Sequence, residues 1–174
     1  MAYELESVRT QGMDLTILSD GLAIPITLAE VKAHLSIDFN DQDDYLSALL
    51  ASAFREVELF TQKSLKAKTI RQSYKQINGC IELAYTPVTS ITSVKDFSAV
   101  DVTYEKSFDG SKIYAYSQNG IVIVYVAGFT TIPPDLKFAV LDIVQIDFDS
   151  KIEDKRLALK GVKERIRHYR PAYV

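Results

Sequence analysis

The chain has 174 residues, 47% hydrophobic and 25% charged, with seven Gly and five Pro, a composition that excludes a disordered or fibrous chain and leaves room for one real core with appendages. A single cysteine, Cys80, excludes an internal disulfide and offers no partner for a structural metal site, as expected in a reducing cytoplasm. The net charge of -3 hides an asymmetry: residues 1–150 hold 12 Lys and Arg against 20 Asp and Glu, a charge of -8, while residues 151–174 hold 8 against 3, a charge of +5. A basic end can meet nucleic acid, an anionic membrane or an acidic protein surface, whereas an acidic body repels a phosphate backbone. The longest apolar run, 121–129, is too short to span a bilayer. The opening Met1-Ala2-Tyr3-Glu4-Leu5-Glu6 has neither the basic start nor the apolar stretch of a signal peptide, so the chain is expected to stay where it is made, with no membrane partner.

Residues 1–26 show no sustained period, and Ser19-Asp20-Gly21 reads as a turn, so this segment is expected to be an N-terminal arm. Thr27-Leu28-Ala29-Glu30 has the spacing of a capping box and predicts a short helix to about Leu35. Asn40-Asp41-Gln42-Asp43-Asp44 follows, with polar side chains able to cap a second helix and carboxylates suited to its positive end. That helix carries Leu46, Leu49, Leu50, Ala53, Val57 and Phe60 on a single stripe.

After Leu65 the apolar period falls from about 3.6 to about 2, the change that separates helix from strand. Asn78-Gly79, Asp109-Gly110 and Asn119-Gly120 punctuate the block 66–129. Such dipeptides supply the positive φ angles of tight hairpins, which predicts an antiparallel sheet. Tyr85-Thr86-Pro87-Val88 interrupts it, because proline cannot donate to a ladder. Ile132-Pro133-Pro134-Asp135 starts another helix, whose residues 136–148 are apolar except for a narrow stripe of Asp142, Gln145 and Asp149. A helix so broadly apolar is expected to share its surface between its own core and a neighbouring subunit, the latter through Phe138, Leu141 and Phe148. In the basic end, Arg165, Arg167, His168 and Arg170 bracket Ile166 and Tyr169, and Pro171 halts a helix. Charges interleaved with apolar anchors suit either a docking segment, loosely placed in the free chain, or a solvated flexible end.

No constellation of reactive residues emerges. His34 and His168 have no nearby Cys or second His at ligand spacing, and Cys80 reads as a small strand residue. The cluster Asp38, Asp41, Asp43 and Asp44 lacks the Gly and the bidentate Glu of a calcium loop. The glycines form no phosphate loop or nucleophile elbow. No catalytic residue, metal or cofactor is therefore expected, and the chain is read as a non-enzyme.

The stretch Ile26-Thr27-Leu28-Ala29-Glu30-Val31-Lys32-Ala33-His34-Leu35, the Asp-rich link and the helix ending Val57-Glu58-Leu59-Phe60-Thr61 resemble the opening of the head-to-tail connector (adaptor) family of tailed phages. Tyr85-Thr86-Pro87-Val88-Thr89-Ser90-Ile91 is similar to the mid-chain strand pair of that family. Val124-Tyr125-Val126-Ala127-Gly128-Phe129 through Pro133-Pro134-Asp135 is similar to its last strand and third helix. The resemblance covers roughly residues 25–148, with a weaker echo in Tyr169-Arg170-Pro171. It implies a homo-oligomeric ring, of 12 subunits in such connectors, between the portal of the head and a tail or stopper protein. DNA would pass through its channel without sequence-specific binding. The place of action would be the virion, and the host cytoplasm during assembly. It also favours docking on the portal as the role of Arg165, Ile166, Arg167, His168, Tyr169, Arg170 and Pro171.

The expected architecture is α+β: a small helical bundle from 27–65 and 133–165, an inserted antiparallel β block at 66–129, and extended terminal arms at 1–26 and 166–174, with 27–170 as the connector domain. The competing reading from another class is a ligand- or nucleic-acid-binding β module on a helical support.

Overall fold

The computed structural model describes residues 13–21, 24–149 and 154–170. In chain order these form β1 (Met13–Asp20), α1 (Leu28–Leu35), α2 (Asp43–Thr61), β2 (Lys68–Tyr74), β3 (Ile77–Glu82), β4 (Val88–Lys95), β5 (Tyr104–Lys106), β6 (Lys112–Ser117), β7 (Ile121–Ala127), α3 (Pro134–Phe148), α4 (Lys155–Arg165) and a 3-10 turn at Arg167–Tyr169. They fall into two compact units, one joining β1 to Ala67–Gly128, the other joining the helices on either side of that block. The chain is α+β, as its sequence leads one to expect.

The helical unit follows local rules closely. The Glu30 amide donates to the Thr27 hydroxyl and the Thr27 amide to the Glu30 carboxylate at 2.8 Å, so the capping box is made in both directions. On α2, Leu46, Leu50, Ala53 and Val57 are buried along the expected stripe, Phe54 is buried beside them, and Leu49 and Phe60 border it. Pro133 caps α3 and Pro134 occupies its first position, where a missing amide costs nothing. Leu136, Val140, Ile143 and Val144 of α3 then enter the same core as the α2 stripe, so the expected sharing of one core by these helices is found. Each fully buried Leu or Ile contributes about 1.5–3 kcal/mol by leaving water.

The β unit departs further from expectation. Its strands form a four-stranded antiparallel sheet in the order β1-β2-β7-β4 and a three-stranded one in the order β3-β6-β5. Ile70 and Tyr74 of β2, Ile81 of β3, Ile113 of β6 and Ile123 and Tyr125 of β7 meet in one core. Asp109-Gly110 does close the β5–β6 hairpin, with Gly110 at φ 70°. Asn78-Gly79, expected at a hairpin, instead lies within β3, and β2 and β3 belong to different sheets. With Tyr74 and Ile77 both buried, the short link between them carries the chain across the core rather than back along the same sheet. Asn119-Gly120 likewise crosses from one sheet to the other, between β6 and β7. Gly120 is at φ 72°, and a Cβ there would lie 2.4 Å from the Phe97 ring.

Two stretches expected to be extended arms carry regular structure. Met13–Asp20 is an edge strand paired to β2, with Met13 opposite Tyr74 and Ile17 opposite Ile70. Met13, Leu15 and Ile17 do alternate, but a bulge between Ile17 and Ser19 cuts the period short and hides the strand from a sequence reading. At the other end the 3-10 turn Arg167–Tyr169 lies in the expected arm, directly after α4, which falls within the expected bundle. The expectations for residues 1–12 and 171–174 lie outside the described residues.

Candidate functional site

The basic end is built on α4. Asp154 caps this helix, accepting from the Leu157 amide at 2.9 Å, and Lys163 and Arg165 lie in its last turn, where positive charge suits the negative end of the helix. Val162 and Ile166, four residues apart, face the core of the helical unit, and Tyr169, three further on, meets Phe129 edge-on at 6.5 Å. Burial pushes the Tyr169 phenol up, and the charge of Asp135 adds to it. The opposite face of α4 is left to Arg156, Lys160 and Glu164, all exposed.

Between that face and the end of α2 runs an open groove of about 820 Å³, with Phe60, Leu157 and Leu159 among its lining residues. A smaller hollow of about 410 Å³, reaching Arg55 and Leu59, shares Phe60 and Lys163 with it. Lys163 pairs with Glu56 at 2.7 Å and stands 5.9 Å from the centre of the Phe60 ring; the Arg170 guanidinium stands 5.1 Å from the same ring. Arg167 pairs with Glu164 at 3.0 Å. Among the described residues Arg55, Arg156, Lys160 and Arg170 make no ion pair; Asp154 and Glu164 also line the groove, so its rim is mixed with an excess of cations around an apolar floor.

The residues singled out for docking are therefore brought together but not equally presented. Arg167, His168 and Arg170 are exposed, and Arg165, also exposed, pairs with Asp142. Ile166 is only 1% exposed and Tyr169 is partly buried, so both are engaged by their own core rather than offered as anchors, because the end of α4 and the 3-10 turn after it carry them inward. A loosely placed segment is not what 165–170 form. Pro171 lies outside the described residues. On α3, Phe138 is 55% exposed and available to a neighbour, whereas Leu141 is buried in the core and Phe148 is half-buried, its ring 6.3 Å from that of Tyr45. The groove itself escaped the sequence reading, since Phe60 and Arg170 are 110 positions apart and no local period links them.

His34 is half-buried, 3.4 Å from Asp142. Cys80 is half-buried in β3. Asp43 pairs with Lys32, and neither it nor its acidic neighbours cap α2, whose capping residue Gln42 makes no side-chain bond to the helix. Among the described residues no three His, Cys, Asp or Glu side chains are grouped to hold a metal ion, and no helix is long and apolar enough to cross a membrane.

Residues 25–110 match the family model described as phage gp6-like head-tail connector protein. A comparison with curated proteins finds no match. The fold is similar to that of a chain in the neck of an empty gene transfer agent (GTA) particle computed with C6 symmetry, at a TM-score of 0.71 and 19% identity over 92% of this chain and 97% of that one. It is similar to a chain in the virion of the native gene transfer agent, at a TM-score of 0.68 and 20% identity over 92% and 96%. A chain in the native neck computed with C12 symmetry gives a TM-score of 0.67 and 19% identity over 92% and 97%.

Proposed function

Because residues 25–110 match the model of the phage gp6-like head-tail connector family, we propose that the chain is a structural virion protein whose copies form a ring joining the portal of a phage-like head to its tail. The observation that carries this reading is the family match over residues 25–110, supported by a shared fold over 92% of the chain. Twelve copies are the expected number, since one of the similar chains sits in a neck computed with C12 symmetry. The ring would leave a channel for DNA, contacted without regard to sequence, and would meet a tail or stopper protein on its far side. Its place is the virion, reached by assembly in the host cytoplasm.

In this reading Arg165, Arg167 and Arg170 approach the portal by charge, with His168 exposed beside them, on a segment held firmly by Val162 and Ile166. Phe138 is the α3 residue open to a neighbouring subunit. Negative-stain images of the purified protein mixed with its portal test the proposal. Rings seated on the portal are the expected result, and a chain that stays monomeric with portal present would overturn it. Charge reversal at Arg167 and Arg170 is expected to slow portal association, more strongly at low salt; an unchanged rate would move the docking surface elsewhere.

A further inference from the structure

We propose that the groove between α2 and α4 seats the acidic α1–α2 corner of a second copy of this chain, so that copies join head to tail. The inference rests on the ring reading and adds the contact that would build it. The groove is not simply basic: Leu59 is 69% exposed and Leu157 64%, on either side of Phe60. Duplex DNA would neutralise the cations but leave those leucines in water, since its outer surface is sugar and phosphate. An occupant that satisfies both features carries carboxylates interleaved with large apolar side chains.

The chain holds such a segment. Asp38, Phe39, Asp41, Asp44 and Tyr45 are all exposed, and among the described residues Asp38, Asp41 and Asp44 make no ion pair. Those carboxylates would meet a groove whose lining carries five cations, Arg156, Lys160, Lys163, Arg167 and Arg170, against two carboxylates, Asp154 and Glu164, with Arg55 in the adjoining hollow, while Phe39 and Tyr45 match its apolar floor. The two surfaces also lie at opposite ends of one rigid element. Tyr45 is in the first turn of α2 and Phe60 in its last, about 22 Å apart at 1.5 Å per residue. A chain cannot fold its own corner into its own groove at that distance. Two different complementary patches on one subunit make a heterologous contact, the kind that generates closed rings when its rotation closes.

The test is charge reversal with rescue, read by sedimentation velocity on the full-length protein. Arg156→Glu with Lys160→Glu, and separately Asp41→Lys with Asp44→Lys, are each expected to weaken self-association at least about tenfold. All four substitutions together are expected to restore it, because the charges again oppose. Cross-linking gives a local readout: Asp44→Cys with Lys160→Cys in a Cys80→Ser background is expected to give a ladder of disulfide-linked oligomers, where either cysteine alone stops at dimers. Groove or corner variants that assemble as the wild type does would overturn the inference and leave the ring reading intact. So would loss of binding to a short DNA duplex with self-association unchanged, which would give the groove to nucleic acid. A wild type that does not sediment as an oligomer, together with a cysteine pair that forms no ladder, would overturn the ring reading as well.

Discussion

The two units differ in how they handle polar groups inside their cores. In the helical unit the buried Thr61 hydroxyl donates to the Val57 carbonyl at 2.7 Å and the buried Ser64 hydroxyl to the Lys66 carbonyl at 2.9 Å, so each is satisfied within four residues. In the β unit the fully buried Gln72 donates to the Glu82 carbonyl at 2.8 Å, and its own oxygen accepts from the Ala84 amide and the Tyr125 hydroxyl, both at 3.0 Å. Its partners are 10, 12 and 53 positions away. Burial pushes the Tyr125 phenol up to about 12. A helical core needs only the right face on each helix. A core of two sheets also needs each strand to find its place, and a single buried amide that ties β2 to β7 and to the chain after β3 rewards only one arrangement.

The contrast can be broken most strongly in the helical unit. Val140→Asp places a carboxylate at a fully buried α3 position inside the hydrophobic cluster, and is expected to destabilise that unit by about 4–5 kcal/mol. Urea unfolding followed by far-UV circular dichroism would show the loss. A smaller loss, about 3 kcal/mol, is expected for Ile166→Ala, since a buried side chain is removed and a cavity remains. That variant also separates the two roles imagined for the basic end: a midpoint equal to wild type would mean that Ile166 is a partner's anchor after all.

In the β unit, Gln72→Leu keeps roughly the same volume but leaves the Ala84 amide and the Tyr125 hydroxyl without their acceptor. A cost of about 2 kcal/mol is expected, along with faster hydrogen exchange at Ala84. If the variant is as stable as wild type, the network is not what orders the strands.

The smallest effect concerns acid. In the helical unit the hydrogen bond from Lys137, and next that from the Thr27 amide, lower Glu30 from an ordinary 4.5 to about 2. In the β unit the hydroxyls of Ser107 and Ser111 lower Asp109 from 3.8 to about 2. A carboxylate with a depressed folded pKa contributes its full stability above its unfolded pKa and loses it as pH falls towards the folded one. Both contributions should therefore fade between about pH 4.5 and pH 2. Each side chain is substantially exposed, so solvent screening keeps the effect to a few tenths of a kcal/mol. Glu30→Gln and Asp109→Asn should each flatten part of that acid limb in unfolding midpoints measured across the range; a limb unchanged in both would show that other groups set it.

Much of the helical unit was legible in the residues themselves. The capping box at Thr27, the α2 stripe and the Pro133-Pro134 start are all written within a few positions of where they act, because a helix satisfies its hydrogen bonds locally and its period exposes the face that must be buried. The family resemblance was legible for the same reason, as an order of such local signals. Asn78-Gly79 and Asn119-Gly120 show where this stops: each glycine does take a positive φ, but neither closes a ladder between the strands on its two sides.

Composition, charge asymmetry, the starts of α1 and α3 and the α+β class were determined by the sequence alone, since each depends on residues counted or spaced along one segment. Which strands pair, which face of α4 is core and where a groove opens were decided only in three dimensions. β2 finds β7 across some fifty positions, Ile166 turns inward because Val162 does so one turn earlier, and Phe60 becomes a groove floor only when α4 lies beside it. These choices compare alternative burials of the same apolar surface, and that comparison exists only once distant segments are in contact.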